Sequence, residues 1–476
     1  MADADPRLPD IDTARMRGLF DAQRAASRQG AIADAATRRD RLDRLKAMVI
    51  AHAAGFTDAI SADFGTRSRT ETELMEIVPT LGAIRHARKH VAGWMKPHRR
   101  RVDPMFQPAK AWVRHEPLGV IGIISPWNYP LQLAISPLVD AIAAGNRVML
   151  KPSELTPALS ALLEQAIAER FDAAEIVVVR GGAETGKAFA SLPFDHLLFT
   201  GSTAVGHQVY RAAAENLTPV TLELGGKSPV VLFDDYPLAK AAKSIAFGKF
   251  VNSGQTCIAP DYVLVPAAKV EAFAEAVMAQ VKIAYPTIAT NPDYSGVISE
   301  RHRQRLHGAI DAARAGGATV IAHEDAGTRE AGKIGPTLVI GGADDALLAS
   351  EEIFGPVLPI IPYRDEADAI AIIQRHERPL ALYAFSNSST TQWRLLDRAL
   401  SGGVTINGTL MHIAQESLPF GGVGNSGIGA YHGEEGFKRF SHARAIHKIG
   451  AINVFEKLGP PWGKTAKMVA RMMLKR

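Results

Sequence analysis

The sequence predicts an α/β protein with two domains. Two series of short apolar segments, each bounded by Gly, Pro or Asp and followed by a helical stretch, have the pattern of βαβ units that build a buried parallel sheet. The two series meet near residues 223–228. The length of 476 residues agrees with more than one domain, since a domain has roughly 150 residues.

The elements are predicted in chain order from apolar periodicity. A helix is expected over 37–53, where Leu42, Leu45 and Met48 recur at helical spacing, and a second helix over 72–94. The first strand series covers residues 120–124, 148–150, 176–179 and 196–199. The second strand series covers residues 229–233, 262–265, 337–340, 357–362 and 382–385.

The composition narrows the classes of function. Apolar residues make up 47% and charged residues 22%, with a net charge of +5, as in ordinary globular proteins. No apolar run reaches the ~18 residues of a membrane span, and no secretory signal, zinc-finger or RNA-recognition pattern occurs. His86 and His90 lie one helical turn apart without a third ligand. We therefore expect a cytoplasmic protein with no metal site and no nucleic-acid partner.

The chain contains one cysteine, Cys257, which follows small polar residues at 252–256. A lone thiol cannot form an intramolecular disulfide and is a poor metal ligand. A cysteine that fills a core would be expected among Val, Leu and Ile, so this setting is compatible with a nucleophile. The alternative is a buried structural thiol, because free cysteines are among the most buried residues.

Two segments place polar groups just after predicted parallel strands, where α/β folds bind ligands. Asn128 lies in a loop between two prolines, and its amide is a suitable donor to an oxyanion. The alternative is an Asn that satisfies its own loop backbone. Lys151 and Glu154 follow the next strand, where a carboxylate can hold a ribose. A helix cap at Ser153 with a solvated Lys and Glu explains that segment equally well.

A glycine-rich turn at 199–206 joins a predicted strand to a helix. Such a turn suits a pyrophosphate, because the N–H groups of a helix N-terminus bind anions. It lacks the Gly-x-Gly-x-x-Gly spacing of the standard dinucleotide fingerprint. That spacing occurs at 422–427, but no buried strand precedes it, so we interpret residues 422–427 as a flexible glycine loop.

Glu223 stands between Leu222 and Leu224 and precedes two glycines. A carboxylate in such apolar surroundings is expected to have a raised pKa, which suits a general base. The alternative is an exposed residue of an alternating strand.

Taken in order, these segments resemble the aldehyde dehydrogenase family over about residues 15–445. The resemblance rests on seven motifs: Pro-Trp-Asn-Tyr-Pro at 126–130, Lys-Pro-Ser-Glu at 151–154, Phe-Thr-Gly-Ser-Thr-x-Val-Gly at 199–206, Leu-Glu-Leu-Gly-Gly-Lys at 222–227, Gly-Gln-Thr-Cys at 254–257, Glu-Ile-Phe-Gly-Pro at 352–356 and Pro-Phe-Gly-Gly at 419–422. Residues 425–433 and 440–442 are similar to the class 3 branch, and residues 405–415 to the coniferyl aldehyde dehydrogenases within it.

The resemblance implies two doubly wound Rossmann-like domains, a small β oligomerisation arm and a homodimer. It assigns residues 1–105 and 118–224 to an NAD(P)-binding domain and residues 225–410 to a catalytic domain. Residues 106–117 and 411–476 would form the arm and the C-terminal tail.

The resemblance also implies a reaction, the NAD(P)-dependent oxidation of an aldehyde to a carboxylic acid. Cys257 would attack the aldehyde, Asn128 would hold the oxyanion, and Glu223 would activate the water that hydrolyses the thioester. Aromatic, coniferyl-type or medium-chain aldehydes are the expected substrates. The cofactor would contact Trp127, Lys151, Glu154, Gly201, Ser202, Glu352 and Phe354.

The resemblance also has implications for the choice between NAD and NADP. Glu154 should repel a 2′-phosphate and favour NAD, but class 3 enzymes often accept NADP as well. Gly408 stands where an acidic residue is expected in that branch. The absence of the acidic side chain would loosen the active-site loop or widen the substrate entrance.

Two alternative functions and the role of the C-terminal tail remain to be considered. A catalytically silent, nucleotide-binding homologue would usually lack the nucleophile or the base. A CoA-acylating dehydrogenase would typically lack the glutamate found here at Glu223. The tail at 464–476 predicts an amphipathic basic helix, which either packs on a subunit or contacts an anionic membrane surface.

Overall fold

The computed structural model of the protein describes residues 10–341 and 346–474. The helices are α1 Thr13–Gln29, α2 Ala35–Ala51, α3 Ala53–Asp63, α4 Arg69–Thr72, α5 Val78–Trp94, α6 Gln132–Ala144, α7 Pro157–Ala168, α8 Ala183–Ala190, α9 Thr203–Ala214, α10 Leu238–Phe250, α11 Val270–Ala284, α12 Glu300–Ala315, α13 Ala346–Ala349, α14 Glu366–Gln374, α15 Ser389–Leu396, α16 Gly433–Arg439, α17 Val454–Leu458 and α18 Lys464–Leu474. The strands are β1 His98–Arg100, β2 Lys110–Pro117, β3 Val120–Ile124, β4 Arg147–Lys151, β5 Ile176–Val178, β6 His196–Thr200, β7 Val220–Glu223, β8 Pro229–Leu232, β9 Tyr262–Pro266, β10 Thr319–Ala322, β11 Thr337–Ile340, β12 Val357–Tyr363, β13 Ala381–Phe385, β14 Gly403–Ile406, β15 Gly427–Ile428 and β16 Ser441–Lys448.

The first parallel sheet has the order β15-β7-β6-β3-β4-β5, with β15 antiparallel to β7. Its central strand β3 is buried along its whole length, and the fully buried helix α6 packs beside it. A Cβ on Gly122 would come within 2.7 Å of the Phe194 ring, so glycine is required there. Because parallel strands end at one edge of a sheet, β3, β4, β6 and β7 bring their following loops together.

The second sheet has the order β10-β11-β12-β9-β8-β13-β14. All its strands are parallel except β10, which pairs antiparallel with β11. The chain crosses from the first sheet to the second between Glu223, the last residue of β7, and Pro229, the first of β8. The predicted α/β fold with parallel sheets is therefore confirmed.

A third, antiparallel sheet has the order β1-β2-β16. Strands β2 and β16 pair over eight residues, from Pro117 with Ser441 to Lys110 with Lys448. The C-terminal helix α18 contains no buried residue, and Met468, Met472 and Leu474 are exposed. Within residues 10–341 and 346–474, no helix is both long enough and apolar enough to cross a bilayer.

Several predicted elements change in detail. The helix expected over 37–53 is α2, and α3 follows it at once after a break at His52. The helix expected over 72–94 contains a π-helical turn, Glu73–Ile77, between α4 and α5. Residues 98–100 are exposed and form strand β1, which pairs with β2.

The prediction of a flexible loop at 422–427 is wrong. The segment is a tight backbone turn rather than a loose loop: the N–H of Leu224 donates to the carbonyl of Ser426, and Gly427 pairs with Glu223 across β15 and β7. A Cβ on Gly422 would overlap the Ser426 backbone. Its glycines serve close packing against the strand that carries Glu223, and the segment does not form a dinucleotide turn.

Candidate active site

Asn128 lies in the loop after β3 and is buried. Its backbone carbonyl accepts hydrogen bonds from Asn252 Nδ2 at 2.9 Å and from Arg67 Nη1 at 3.2 Å. Its side-chain Nδ2 has no hydrogen-bond partner among the residues that the structure describes. An unpaired buried amide is costly, so this group is suited to donate to a ligand in the cavity that it lines. If the Asn128 side chain only satisfied its own loop backbone, its Nδ2 would not be left without a partner among the described residues.

Cys257 follows α10 and a short 3₁₀ turn, Val251–Gly254, in which Asn252 and Ser253 adopt left-handed backbone conformations with φ of 49° and 51°. The side chain of Gln255 fixes this turn, because its Nε2 donates to the carbonyl of Asn252 at 3.0 Å. The result is a rigid loop that presents the thiol to the cavity.

The loops that carry Asn128 and Cys257 are joined directly. The hydroxyls of Tyr129 and Thr256 lie 2.8 Å apart, so the residue after Asn128 is hydrogen-bonded to the residue before Cys257. This bond holds the two loops in one arrangement, although Tyr129 and Thr256 are 127 positions apart in the sequence.

The electrostatic surroundings of Cys257 favour the protonated thiol. Burial raises the pKa of the Cys257 thiol, and the nearby carboxylates Glu352 and Glu223 raise it further. The backbone N–H groups of Cys257 and Ile258 point at the sulfur and oppose this rise in pKa. Because only the thiolate is nucleophilic, the site needs a proton acceptor close to the sulfur.

Glu223 ends β7 and is 3% exposed, so the alternative of an exposed strand residue is wrong. Burial raises its pKa well above the ordinary range of a glutamate. Neither carboxylate oxygen has a hydrogen-bond partner in the described part of the chain. In its ionised form, a buried carboxylate whose oxygens have no other partner among the described residues can accept a proton. The position of Glu223 is therefore compatible with the predicted general base.

Glu352 and Phe354 lie in the loop before β12. The Glu352 carboxylate accepts a hydrogen bond from the Gly226 N–H, and burial with help from Asp261 raises its pKa to about 8. A Cβ on Gly225 would overlap this carboxylate, so the backbone of Gly225 lies directly against the Glu352 side chain. Phe354 has a φ of 49° and contacts Trp127, with ring centroids 5.3 Å apart.

A second cavity of about 620 Å³ lies over the carboxyl ends of β4 and β6. Lys151, at the end of β4, is buried, and its Nζ lies 3.4 Å from Glu154 Oε2, whose side chain is 44% exposed. Ser202 caps α9 by accepting a hydrogen bond from the Val205 N–H. The donor set of an ammonium, a carboxylate and a helix N-terminus fits a ribose and a pyrophosphate.

The structure brings the predicted residues into one cleft. Asn128, Glu223, Cys257, Glu352 and Phe354 line a cavity of about 630 Å³. Lys151 and Glu154 line the second cavity, and Trp127, Gly201 and Ser202 line both. The two cavities therefore adjoin, and their lining groups have the chemistry that a dinucleotide requires.

Several lining residues were not predicted as site residues, and Thr200, Lys227, His302 and Arg305 are among them. Thr200, His302 and Arg305 line both cavities, and Lys227 lines the first. Lys227 belongs to a motif recognised in the sequence, and its Nζ donates to Asp261 and to the carbonyl of Glu351. His302 and Arg305 lie on α12, a charged helix whose sequence carries no ligand-binding motif. The apolar face of α12 packs against β11 and β12 of the second sheet, and this packing places both side chains at the cleft.

Two other candidates play no part in the cleft. His86 and His90 pack against each other and against Trp94, with 4.3 Å between the imidazole centroids. In the described ranges, no group of three or more His, Cys, Asp or Glu side chains could hold a metal ion. A Cβ on Gly408 would meet only the Thr405 methyl at 3.5 Å, so no steric reason requires glycine there.

Comparisons with known proteins agree with this geometry. The profile of the Aldehyde dehydrogenase family matches residues 6–446. The probable coniferyl aldehyde dehydrogenase of Pseudomonas aeruginosa is 48% identical over 462 residues, which cover 97% of each chain. The substrate-bound AldH of Staphylococcus aureus has a TM-score of 0.90 and 37% identity, over 96% of this chain and 99% of that one. The Mycobacterium tuberculosis aldehyde dehydrogenase in complex with NAD+ has a TM-score of 0.84 and 31% identity, over 94% and 92%.

Proposed function

The chain belongs to the aldehyde dehydrogenase family, and we propose that Cys257, Asn128 and Glu223 carry out its activity, the NAD(P)-dependent oxidation of an aldehyde to a carboxylic acid. The observation that supports these roles most strongly is the shared cavity. One thiol, one unpartnered amide and one unpartnered buried carboxyl group line it, as judged over the residues that the structure describes.

The first step is attack of the Cys257 thiolate on the carbonyl carbon of the aldehyde. Glu223 is the nearby group able to take the thiol proton, since its oxygens are free of other hydrogen bonds within the described residues. The carbonyl oxygen becomes an oxyanion and accepts hydrogen bonds from Asn128 Nδ2 and from the Cys257 backbone N–H. One such donor typically lowers the barrier by about 3–4 kcal/mol.

The cofactor site proposed is the pair of adjoining cavities. Lys151 and Glu154 would hold the adenosine ribose, Gly201 and Ser202 would meet the pyrophosphate at the start of α9, and Trp127, Glu352 and Phe354 would hold the nicotinamide half. When bound, NAD(P)+ would supply the hydride acceptor.

The second half of the reaction is hydrolysis of the thioester on Cys257. Once the thiol proton has passed from Glu223 to solvent, the carboxylate accepts a proton from a water molecule as that water attacks the thioester carbon. The bond from carbon to Cys257 Sγ then breaks, the carboxylic acid is released, and the thiolate regains a proton. The presence of this glutamate disfavours the CoA-acylating alternative, in which a thiol and not water takes the acyl group. The presence of Cys257, Asn128 and Glu223 together in the cavity disfavours a catalytically silent homologue.

The substrates proposed are aromatic, coniferyl-type aldehydes, as the name of the Pseudomonas aeruginosa relative suggests. Medium-chain aliphatic aldehydes are the second candidate. Leu133, Phe420 and Tyr431 give the cavity apolar and aromatic walls next to Cys257. Such walls bind a flat aromatic ring well, since stacked aromatic pairs add about 0.5–1.5 kcal/mol beyond burial.

A panel of aldehydes tests the activity. With NAD and no CoA, we expect NADH to form from coniferaldehyde and benzaldehyde faster, in kcat/KM, than from hexanal, decanal or acetaldehyde. NADH absorbance reports each rate. A ranking led by hexanal or decanal would replace the aromatic assignment, and a requirement for CoA would contradict hydrolysis by water.

Cofactor preference is tested at Glu154. Glu154→Gln removes the charge that opposes a 2′-phosphate, so we expect the ratio of kcat/KM for NADP over NAD to rise about tenfold. A larger change is not expected, because solvent reaches this half-exposed carboxylate and screens it. Glu184→Gln is the matched control, because Glu184 is an exposed glutamate on α8 that does not line the cleft. An unchanged ratio in Glu154→Gln would remove Glu154 from cofactor selection.

Assembly and domain limits are also proposals. Homodimerisation through the sheet of β1, β2 and β16, the domain limits given above and peripheral contact of α18 with an anionic membrane remain predictions. A cytoplasmic location and the effect of Gly408 also remain predictions.

A further inference from the structure

Arg67 is buried beside the loop that carries Asn128. Its Nη1 donates to Glu76 Oε1 at 2.7 Å and to the backbone carbonyl of Asn128 at 3.2 Å, and its Nε donates to Glu71 Oε1 at 3.3 Å. The guanidinium also lies over the ring of Tyr129, 4.9 Å from the centroid. A planar cation that meets several partners at fixed angles is a rigid support.

Asn252 provides a second support for the same carbonyl. Its Nδ2 donates to the Asn128 oxygen at 2.9 Å, and its backbone N–H donates to Glu71. Glu71 therefore links Arg67 to the turn that leads to Cys257. The carbonyl of Asn128 is held from two directions by donors from two distant parts of the chain.

Glu76 extends the support to the other end of the loop. Its Oε2 accepts hydrogen bonds from the N–H groups of Leu131 at 2.8 Å and Gln132 at 3.1 Å, where α6 begins. Glu76 lies in the π-helical turn between α4 and α5. Such turns occur often at functional sites, because they redirect side chains out of the regular helix pattern.

We propose that Arg67, with Glu76 and Asn252, is a positioning residue that aims the side-chain amide of Asn128 at the oxyanion. The backbone carbonyl of Asn128 is fixed on both sides, whereas its Nδ2 has no partner among the described residues. The orientation of the donor is thus set by groups that never touch the substrate. This inference rests on the proposed role of Asn128 as the oxyanion donor.

A double-mutant cycle tests the inference. Arg67→Lys keeps a charge beside Glu76, but a lysine cannot serve Glu76, Glu71 and Asn128 together. We expect kcat/KM to fall about 10²-fold, since a small misplacement of a catalytic group costs that much. In an Asn128→Ala background, the same change should cost almost nothing, because the group that it positions is absent.

A second pair of variants keeps the test decisive if Arg67→Lys does not fold. Asn252→Gly removes the other donor to the Asn128 carbonyl and suits the left-handed backbone at that position. Ser253→Gly is its matched control, because Ser253 has the same backbone conformation but bonds to Ser295 and not to Asn128. We expect the loss in Asn252→Gly to disappear in the Asn128→Ala background. Any loss in Ser253→Gly should be the same in both backgrounds.

Alkylation of Cys257 by iodoacetamide separates positioning of the donor from damage to the nucleophile. That reaction forms no carbonyl oxyanion, so its rate should stay near the wild-type rate in Asn252→Gly and Arg67→Lys while kcat/KM falls. Losses that multiply with Asn128→Ala, or alkylation that slows in parallel with turnover, would overturn the positioning role. A fully active Asn128→Ala would instead overturn the proposed function of Asn128, and the inference with it.

Discussion

Replacing Cys257 by alanine is expected to abolish NADH formation, with a loss in kcat of about 10⁴-fold or more. The loss is this large because Cys257 is the one cysteine of the chain, so no second thiol can replace it. Steady-state NADH absorbance with the best aldehyde of the panel measures it.

Binding of NAD provides the control for this variant. Alanine is smaller than cysteine and the residues proposed to hold NAD lie elsewhere in the cleft, so the Kd for NAD measured by calorimetry should be unchanged. Substantial turnover in Cys257→Ala would contradict the nucleophile assignment. Loss of NAD binding would show instead that the variant had altered the cleft.

Replacing Glu223 by glutamine is expected to separate the two halves of the reaction. Acylation should still release about one NADH per active site as a burst, more slowly than in the wild type because glutamine cannot take the thiol proton. The following steady state should be slower still, by about 10²–10⁴-fold relative to the wild type. Glutamine has almost the same shape but cannot take a proton from water. Stopped-flow absorbance of NADH resolves the burst from the steady state.

The role of Glu223 as a base also predicts how the steady-state rate changes with pH. Burial raises the pKa of Glu223, so the carboxylate that acts as base is lost when the pH falls below that raised value. Steady-state turnover limited by hydrolysis should therefore increase with pH in the wild type and level off above the pKa of Glu223. Glu223→Gln should lack this dependence in its steady state. A burst-free variant with full steady-state rate would remove Glu223 from hydrolysis.

The sequence predicted much of the site because its chemistry is concentrated in short motifs. Strand β3 followed by Asn128, and β7 ending at Glu223, place polar groups next to buried apolar runs, which is a local signal. His302 and Arg305 gave no such signal, because they reach the cleft only through the packing of α12 against β11 and β12 of the second sheet. Arg67 was missed for a similar reason, since an arginine near two glutamates usually indicates a solvated surface.

The amino-acid sequence by itself determined the α/β class, and its motifs are the basis of the proposed nucleophile, base and oxyanion donor. Each of these depends on neighbours in the chain. Only the tertiary structure decided that Glu223 is buried with free oxygens, that the glycines at 422–427 pack against β7, and that Arg67 and Asn252 hold the Asn128 carbonyl. Burial and hydrogen bonding are set by residues that are distant in sequence, and no local pattern records them.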